Sequence, residues 1–470
     1  MIFNAIKYLL VFLFVSNSLT AQNDCASELK NAKSVYDTFN FKSNNYRTVE
    51  KKGDRFFEVN YLDKFKKDNV ILGVENFEIS NKIIFKDRKA GIKNNIGIVT
   101  NQTGILFLKI ETKRLLKPNC SGNDTMSLIS FNKVSWEKVH TVDYLNDNGL
   151  NIKKIFSPEH GFRGDADAGA TVASGKDSKT GLPVISLYGK NKKPTAEQLK
   201  DLDIIIFDLQ DVGARFYTYI STLHYVMEAA AENGKKLIVF DRPNPNAHYV
   251  DGPVLNPKFK SFVGMHPVPV VYGMTIGEYA QMINGEGWLA NGVKCDLTVI
   301  PLKNYTHNTR YSLPVKPSPN LPNDKSVNLY PSTCFFEAFN GSEGRGTDKP
   351  FQIYGSPYLK NIDFQFVPEP NAGSKSPRFQ GKVCYGEDLS NTPYLSEINL
   401  SWLIKAHKNY VGKEPFWIKN SGEFWIDKLA GTDQLRQQID SGMTEKQIKE
   451  SWQKDLEAFK KVRSKYLIYD

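Results

Sequence analysis

From about residue 71 onward the chain alternates between two patterns. Five stretches, NNIGIVTNQTG, NIKKIFSPEHG, LPVISLYG, DIIIFDLQDVG and KKLIVFDRPNP, are short β-branched or apolar runs that end in polar residues, Gly or Pro. The runs are continuous rather than alternating, as in strands covered on both faces. Helical periods lie between them. PTAEQLKDL is one, and EKVHTVDYLNDNG reads as another. YTYISTLHYVMEAAAENG is a third, with Ile220, Leu223, Met227 and Ala230 near helical spacing and Asn233-Gly234 as a stop. Strands that alternate with helices predict a parallel sheet in a doubly wound α/β domain.

Three regions depart from that pattern. Residues 22–70 are rich in Lys, Asn and Asp with isolated aromatics, and residues 105–136 interrupt the alternation as an insertion. After about 290 the chain becomes Pro-rich and mixed. VKCDLTVIPLKNY reads as a strand, and PSPNLPNDKSVNLYPSTCFFEAFNGSEGRGTDKPFQIYGSP as a long aromatic loop with little periodicity, the kind of loop that carries function. At the end, Thr444 opens a T-x-x-Q capping box, and Ile448, Trp452, Leu456 and Phe459 mark an apolar helical face.

The first twenty-one residues, MIFNAIKYLLVFLFVSNSLTA, set Lys7 ahead of a short apolar core, small polar residues and Ala21. This reads as a secretory signal cleaved near Ala21, so the mature chain is expected in the periplasm or outside the cell. An uncleaved anchor is the alternative, with a run that is short for a membrane span. No second span appears, so no stable membrane insertion is expected after cleavage. The sequence AQNDC lacks the small apolar residues that precede a lipidated cysteine. The five cysteines, 25, 120, 295, 334 and 384, are odd in number and widely spaced, and define no disulfide framework.

The 470 residues are 40% hydrophobic and 24% charged, with a net charge of +10. Lys and Arg are scattered, with no basic arm and no basic stripe with interleaved aromatics, which argues against nucleic acid. No G-x-G-x-x-G follows a strand, no P-loop spacing occurs, and H-E-x-x-H and G-x-S-x-G are absent. The seven histidines lack metal-ligand spacing. No cofactor or metal is expected.

In open parallel sheets ligands sit outside the carboxyl ends of the strands. Here those ends carry Asn101-Gln102, Glu159-His160, Asp208 to Asp211, and Asp241-Arg242. Such a rim suits a sugar or an anion. Glu159, at the mouth of a cleft, has the position of a proton donor; the alternative is a carboxylate salt-bridged to Arg163 that orders the loop. His160 reads as a base or as the residue that orients Glu159. In DLQDVGARFYTY, Asp208 with Tyr217 and Tyr219 suits carbohydrate, while Asp211 fits a helix start favoured by the dipole. Asp241 reads as a ligand contact with Arg242 as its partner. In FFEAFNGSEGRGTDKP, Glu337 and Asn340 precede a Gly344-Arg345-Gly346-Thr347 loop able to bring a guanidinium to an anion. Glu343, set among glycines, reads as exposed, and His224 as a core histidine.

Taken together, NQTG, FSPEHGFRGDADAGATV, DLQDVGARFYTY, DRPNP, FFEAFNGSEGRGTDKPF and the closing GTDQLRQQIDSGMTEKQIKESWQKDLEAFKKVRSKYLIY resemble the exo-β-N-acetylmuramidase (NamZ) family of bacterial glycoside hydrolases. The resemblance runs from about residue 71 to the end, apart from the insertion. It implies a Rossmann-like domain over 71–290, a smaller C-terminal α/β domain over 291–470, and an active-site cleft between them. It also implies release of N-acetylmuramic acid from the non-reducing ends of peptidoglycan fragments. The Glu of the S-P-E-H-G-F motif is Glu159, and that of F-E-x-x-N is Glu337. On this reading Glu159 is the general acid, Glu337 the second carboxyl or a positioning residue, and His160 a helper. The muramyl acetamido group as nucleophile would leave one essential protein carboxyl. The lactyl carboxylate of the sugar would account for Arg163, Arg215 and Arg345. The rival readings are an inactive muramyl-sugar-binding protein, an exported esterase or amidase, and a calcium-dependent lectin. Against the first stands the intact set Glu159, His160 and Glu337.

Overall fold

The computed structural model describes residues 46–52, 55–61, 70–76, 94–115, 131–159, 161–163 and 174–470. In chain order its first strands are β1 (Tyr46–Lys52), β2 (Arg55–Tyr61), β3 (Ile96–Thr100), β4 (Ile105–Leu115), β5 (Phe131–His140) and β6 (Ile152–Ser157). They are followed by β7 (Gly175–Lys176), β8 (Pro183–Ser186), β9 (Ile204–Asp208), β10 (Lys236–Phe240) and β11 (Asp296–Ile300).

All five apolar runs become strands of one seven-stranded sheet, in the order β11-β10-β9-β3-β6-β8-β7. Every pair is parallel except the short β7–β8 hairpin. Layers on both faces explain why the runs do not alternate: all five residues of β9 are buried, and so are all five of β3. Each large apolar side chain so buried stabilises by about 1.5–3 kcal/mol. The helices Thr141–Asp147, Tyr219–Glu232 and Ile276–Gly285 connect successive strands. The chain builds outward from β3 through β6 and β8, then returns to β9 and continues through β10 to β11. The direction therefore reverses between β3 and β9, the kind of crevice where doubly wound sheets bind ligands. The α/β expectation holds, and β11, which lies past residue 290, is the edge of this same sheet.

The NQTG turn closes that crevice. Asn101 Oδ1 accepts from the Thr103 amide at 3.0 Å and its hydroxyl at 2.6 Å, and Thr103 Oγ1 accepts from the Gln210 amide beyond β9. Glycine is required at 104, because a Cβ there would stand 2.0 Å from Thr100 Oγ1.

The two regions without a place in the α/β pattern pair with each other. Strands β1, β2, β4 and β5 form a four-stranded sheet in that order, with Phe56 of β2 opposite Leu115 of β4 in antiparallel register. Among the described residues these four strands thus make a unit of their own, and those within Val70–Ile105 and His140–Asp470 a second.

The long stretch after residue 317 is not all loop. Asn323 accepts from the Ser326 amide at 2.9 Å and caps a helix, Asp324–Thr333, that runs on into a 3₁₀ turn, Cys334–Ala338. Pro331 removes the N–H that would bond the Val327 carbonyl four residues back. Asn246 Nδ2, from the segment after β10, donates to that carbonyl at 3.0 Å instead. Three further strands, β12 (Ile353–Ser356), β13 (Phe364–Phe366) and β14 (Cys384–Asp388), form a small antiparallel sheet in the order β12-β14-β13. The Thr444 capping box forms as expected, and Ile448, Trp452, Leu456 and Phe459 are buried, although the helix breaks at Trp452 into two.

Candidate active site

A cavity of about 800 Å³ opens within the larger unit and is lined by Glu159, Thr218 and Tyr188 from the sheet half and by Glu337, Arg345 and Arg378 from the C-terminal half. The two glutamates singled out in the sequence share it. Glu159 follows β6, and its Oε2 accepts from the Thr218 hydroxyl at 2.9 Å. Tyr188 lies just past β8; burial, and then the negative charge of Glu159, push its hydroxyl pKa upward. Glu337 sits on the 3₁₀ turn, and its Oε1 accepts from Arg345 Nη2 at 2.8 Å.

Glu343 is buried, 4% exposed, where the sequence suggests an exposed side chain. Its Oε1 accepts from Arg345 Nη1 at 2.7 Å, and its Oε2 from Arg378 Nη2 at 3.4 Å. The glycines around it do not loosen the loop; they let it fold inward. Ser342 and Gly355 exchange backbone hydrogen bonds at 2.7 and 2.9 Å. Gly344 has a φ of +85°, with Lys349 O at 2.7 Å from where a Cβ would stand. Burial raises the Glu343 carboxyl, but Arg345 and Arg378 outweigh it and hold it below its ordinary value. Burial likewise opposes the Arg345 charge, and Glu337 and Glu343 more than offset that. Arg378 is anchored in turn, with Nη1 donating to Phe339 O at 2.8 Å.

Other candidates stand elsewhere. Tyr217 lines the cavity, with its hydroxyl donating to Pro317 O at 2.6 Å. Asp208 is fully buried and accepts from Arg242 twice, at 2.6 and 2.9 Å. Asp241 accepts from the Tyr469 hydroxyl at 2.6 Å, Thr275 Oγ1 at 2.8 Å and the Gly277 amide at 2.8 Å, and burial pushes its pKa up to about 7. Both are internal ties rather than ligand contacts. Arg215 is completely buried and donates to the carbonyls of Pro253, Val268 and Leu429, and desolvation lowers its pKa to about 9. Arg163 pairs with Asp177 at 2.9 Å and Asp143 at 3.4 Å, and so orders its loop through those residues rather than through Glu159. Asn340 Nδ2 donates to the Tyr410 hydroxyl at 2.9 Å, away from the cavity lining. His160 lies outside the described residues, as do Cys25 and Cys120. His224 is buried in the core beside His266, their ring nitrogens 2.9 Å apart.

Most of the charge at the strand ends is therefore spent internally. Strand-end position marks a side chain as near the crevice but does not say which opposite charge answers it. Cavity residues that went unnoticed include Thr218, Tyr188, Arg378, Phe262 and Trp425. Tyr188 carried a usable signal, since it ends a strand run as Glu159 does; Arg378 lies in an aperiodic stretch and carried none. Among the described residues no group of three or more His, Cys, Asp or Glu is placed to hold a metal, no helix is long and apolar enough to cross a membrane, and Cys295, Cys334 and Cys384 are free and buried.

Comparison with known proteins agrees with this architecture. Residues 128–325 match the N-terminal family model of exo-β-N-acetylmuramidase NamZ, and residues 328–469 its C-terminal model. The peptidoglycan β-N-acetylmuramidase NamZ of Bacillus subtilis strain 168 is 42% identical, over 78% of this chain and 91% of its own length. A crystal structure of a DUF1343 family protein from Bacteroides fragilis NCTC 9343 superposes with a TM-score of 0.71 at 41% identity, covering 86% of this chain and 99% of its own. A second DUF1343 structure from the same strain gives 0.63 at 27% identity, covering 86% and 100%.

Proposed function

From its membership of the exo-β-N-acetylmuramidase NamZ family, to which the chain belongs, we propose that it releases N-acetylmuramic acid from the non-reducing ends of peptidoglycan glycan fragments. The observation that carries the reading is the unlike company kept by two carboxyl groups in one cavity. Glu159 faces the Thr218 hydroxyl, and Glu337 faces the Arg345 guanidinium. A guanidinium only donates and always carries charge, so it suits an ionised partner; a hydroxyl accommodates a carboxyl in either state. Glycoside hydrolysis asks for such a division, one carboxyl as proton donor and the other as an anion.

Glu159 is assigned as the acid. It gives its proton to the glycosidic oxygen as the bond from that oxygen to C1 breaks. The Glu337 carboxylate faces the positive charge that develops on the sugar. Water supplies the oxygen that bonds to C1 and the proton that returns to Glu159. That balance is the same whether water attacks at once or after an intermediate carried by Glu337 or the sugar's acetamido oxygen.

The lactyl carboxylate of muramic acid needs a cation. Of the arginines proposed for it from the sequence, Arg163 and Arg215 are committed elsewhere, and Arg345 is shared between Glu337 and Glu343. The segment from Gly373 to Arg378 brings Lys375 and Arg378 to the cavity; Arg378 also bonds to carbonyls, but its carboxylate contact, to Glu343, is a long 3.4 Å and its side chain is 36% exposed, so it is the cation assigned to the lactyl group. Tyr188, Phe262 and Trp425 line the cavity and suit the apolar side of a sugar. The leader-like first twenty-one residues support action outside the cytoplasmic membrane, in the periplasm or beyond, where peptidoglycan lies.

Chromophore release from 4-nitrophenyl β-N-acetylmuraminide tests the reading, with the glucosaminide as control. Cleavage of the muraminide alone is the expected result. Tight binding of muramyl sugars without turnover would replace the enzyme with a binding protein.

A further inference from the structure

We infer that Thr218 is a positioning residue for the general acid: withheld from the helix it begins, its hydroxyl sets the Glu159 carboxyl and steadies the charge left when the proton departs. The inference rests on the assignment of Glu159 as the acid.

Thr218 is the N-cap of the helix Tyr219–Glu232, a position where a threonine oxygen ordinarily accepts from an amide of the first turn. Among the described residues three other α-helices have a threonine as N-cap. Thr195, Thr275 and Thr444 each accept from the amide three residues on and complete a capping box. Thr218 makes no side-chain cap bond, and its φ of −75° and ψ of 0° are not the extended values of those three. Its hydroxyl donates instead to Glu159 Oε2 at 2.9 Å. The next first-turn hydroxyl is also turned away from the helix: Ser221 Oγ donates at 2.7 Å to the carbonyl of Phe262, a cavity residue. The Thr218 backbone is locked meanwhile, its carbonyl accepting from the amides of Ser221 and Thr222 at 3.1 and 3.0 Å. With 9% of the residue exposed, water competes little for the hydroxyl.

A donor on Oε2 fixes the plane of the carboxyl together with the Tyr188 hydroxyl, which also bonds to Glu159. The Thr218 bond exists in both states, because the carbonyl oxygen of the acid also accepts. It strengthens as Glu159 passes its proton to the glycosidic oxygen and becomes an anion, since charge-assisted hydrogen bonds are roughly twice as strong as neutral ones. The interaction therefore favours the transition state over the ground state. It matters most where proton donation matters most. A sugar alcohol is a poor leaving group and needs the proton, whereas 4-nitrophenolate departs largely without it.

The test compares T218V and T218S with the wild-type full chain on two substrates, 4-nitrophenyl β-N-acetylmuraminide and a disaccharide with β-linked N-acetylmuramic acid at its non-reducing end. With T218V, kcat on the disaccharide should fall on the order of ten-fold, with KM and melting temperature little changed. The loss on the aryl substrate should be only about two-fold, and T218S should recover most of the disaccharide rate. Equal losses on both substrates, no loss on either, or failure of serine to restore the rate would each overturn the inference. A wild-type enzyme inactive on both substrates would overturn the proposed function with it; an active wild type with a normal T218V would remove this inference alone.

Discussion

Replacing Glu343 by Gln tests whether the buried arginine–glutamate cluster holds the second carboxyl in place. Glu343 accepts from Arg345 at 2.7 Å and from Arg378 at 3.4 Å, and Arg345 in turn donates to Glu337 at 2.8 Å. The amide keeps the shape and an acceptor but removes the charge, so Arg345 is left with one carboxylate in place of two. Breaking a buried pair by removing one partner costs about 3–5 kcal/mol. The side chains of Arg345 and Arg378 are 25% and 36% exposed. Solvent and the remaining Glu337 therefore take up part of the loss, and about 2–3 kcal/mol is the expected cost. An exposed Glu343, as its glycine-rich surroundings suggest, would change stability by no more than about 0.5 kcal/mol. The two magnitudes are far enough apart to separate by calorimetry, since 1 kcal/mol moves the melting temperature of a domain of 150–250 residues by about 2–4 °C and of a longer chain by less.

The pH dependence makes the test sharper. Burial raises the Glu343 carboxyl, but the two guanidiniums overcome it and hold the group below its ordinary value of 4.5. A carboxyl depressed in the folded state contributes stability that is complete above the unfolded value and disappears as pH falls through the folded one. The gap in melting temperature between wild type and E343Q should therefore be full near neutrality and close as the solution is taken well below pH 4.5. A gap that is absent at neutral pH, or that is as wide in acid as at neutrality, would refute the reasoning.

E159Q should lower kcat on glycan fragments by about 10²–10⁴, the usual contribution of a general acid, and near-normal turnover in stopped assays of released N-acetylmuramic acid would remove Glu159 from that role. R378Q should lower kcat/KM on the muraminide about ten-fold or more, chiefly through KM, because a charge-assisted bond of about 1.5–3 kcal/mol goes with the lactyl group; a loss confined to kcat would return the lactyl contact to another cation. Asp241, whose folded pKa is raised from 3.8 to about 7, binds its proton more tightly folded than unfolded, so its ionisation erodes stability as pH rises between those values. D241N should therefore gain on wild type in melting temperature from about pH 4 to pH 8, and a difference that does not move with pH would show that Asp241 is ionised throughout.

The sheet was legible because burial on two faces writes itself as uninterrupted apolar runs, and all five became strands. The helix Asp324–Thr333 was harder to see. Its cap is Asn323 with Ser326 at the third position rather than Glu or Gln, and Pro331 within it reads as a break until Asn246 is known to satisfy the freed carbonyl. At the site, Glu159 and Glu337 were visible as acidic residues in aromatic or glycine-rich motifs. The fates of Asp208, Asp241 and Arg215 were not. Each is balanced by a partner at least 34 positions away in the chain: Arg242, Tyr469 and the Leu429 carbonyl among them. Local pattern carries no information about such partners, so a paired structural carboxylate and an open catalytic one look alike in one dimension.

That distinction explains how the site keeps its carboxyls in register. Glu159 comes from the sheet half and Glu337 from the C-terminal half, so their spacing depends on how firmly the two halves are joined. Two of the ties, Arg215 and Tyr217, are groups that resembled ligand contacts. Arg215, beyond β9, reaches the Leu429 carbonyl at 2.9 Å; Asn246, beyond β10, holds the Val327 carbonyl at 3.0 Å, in the helix that leads to Glu337. Tyr217 holds Pro317, and within the C-terminal half Asn320 Nδ2 carries the hold onward, donating at 2.8 Å to Gly373 at the start of the segment that carries Arg378. Each tie ends on a main-chain carbonyl, whose position follows the fold rather than a rotamer. Substitutions at the sheet's carboxyl edge can thus change the distance between the two glutamates without touching either, because the DLQDVGARFYTY and DRPNPN segments hold the C-terminal half against the acid.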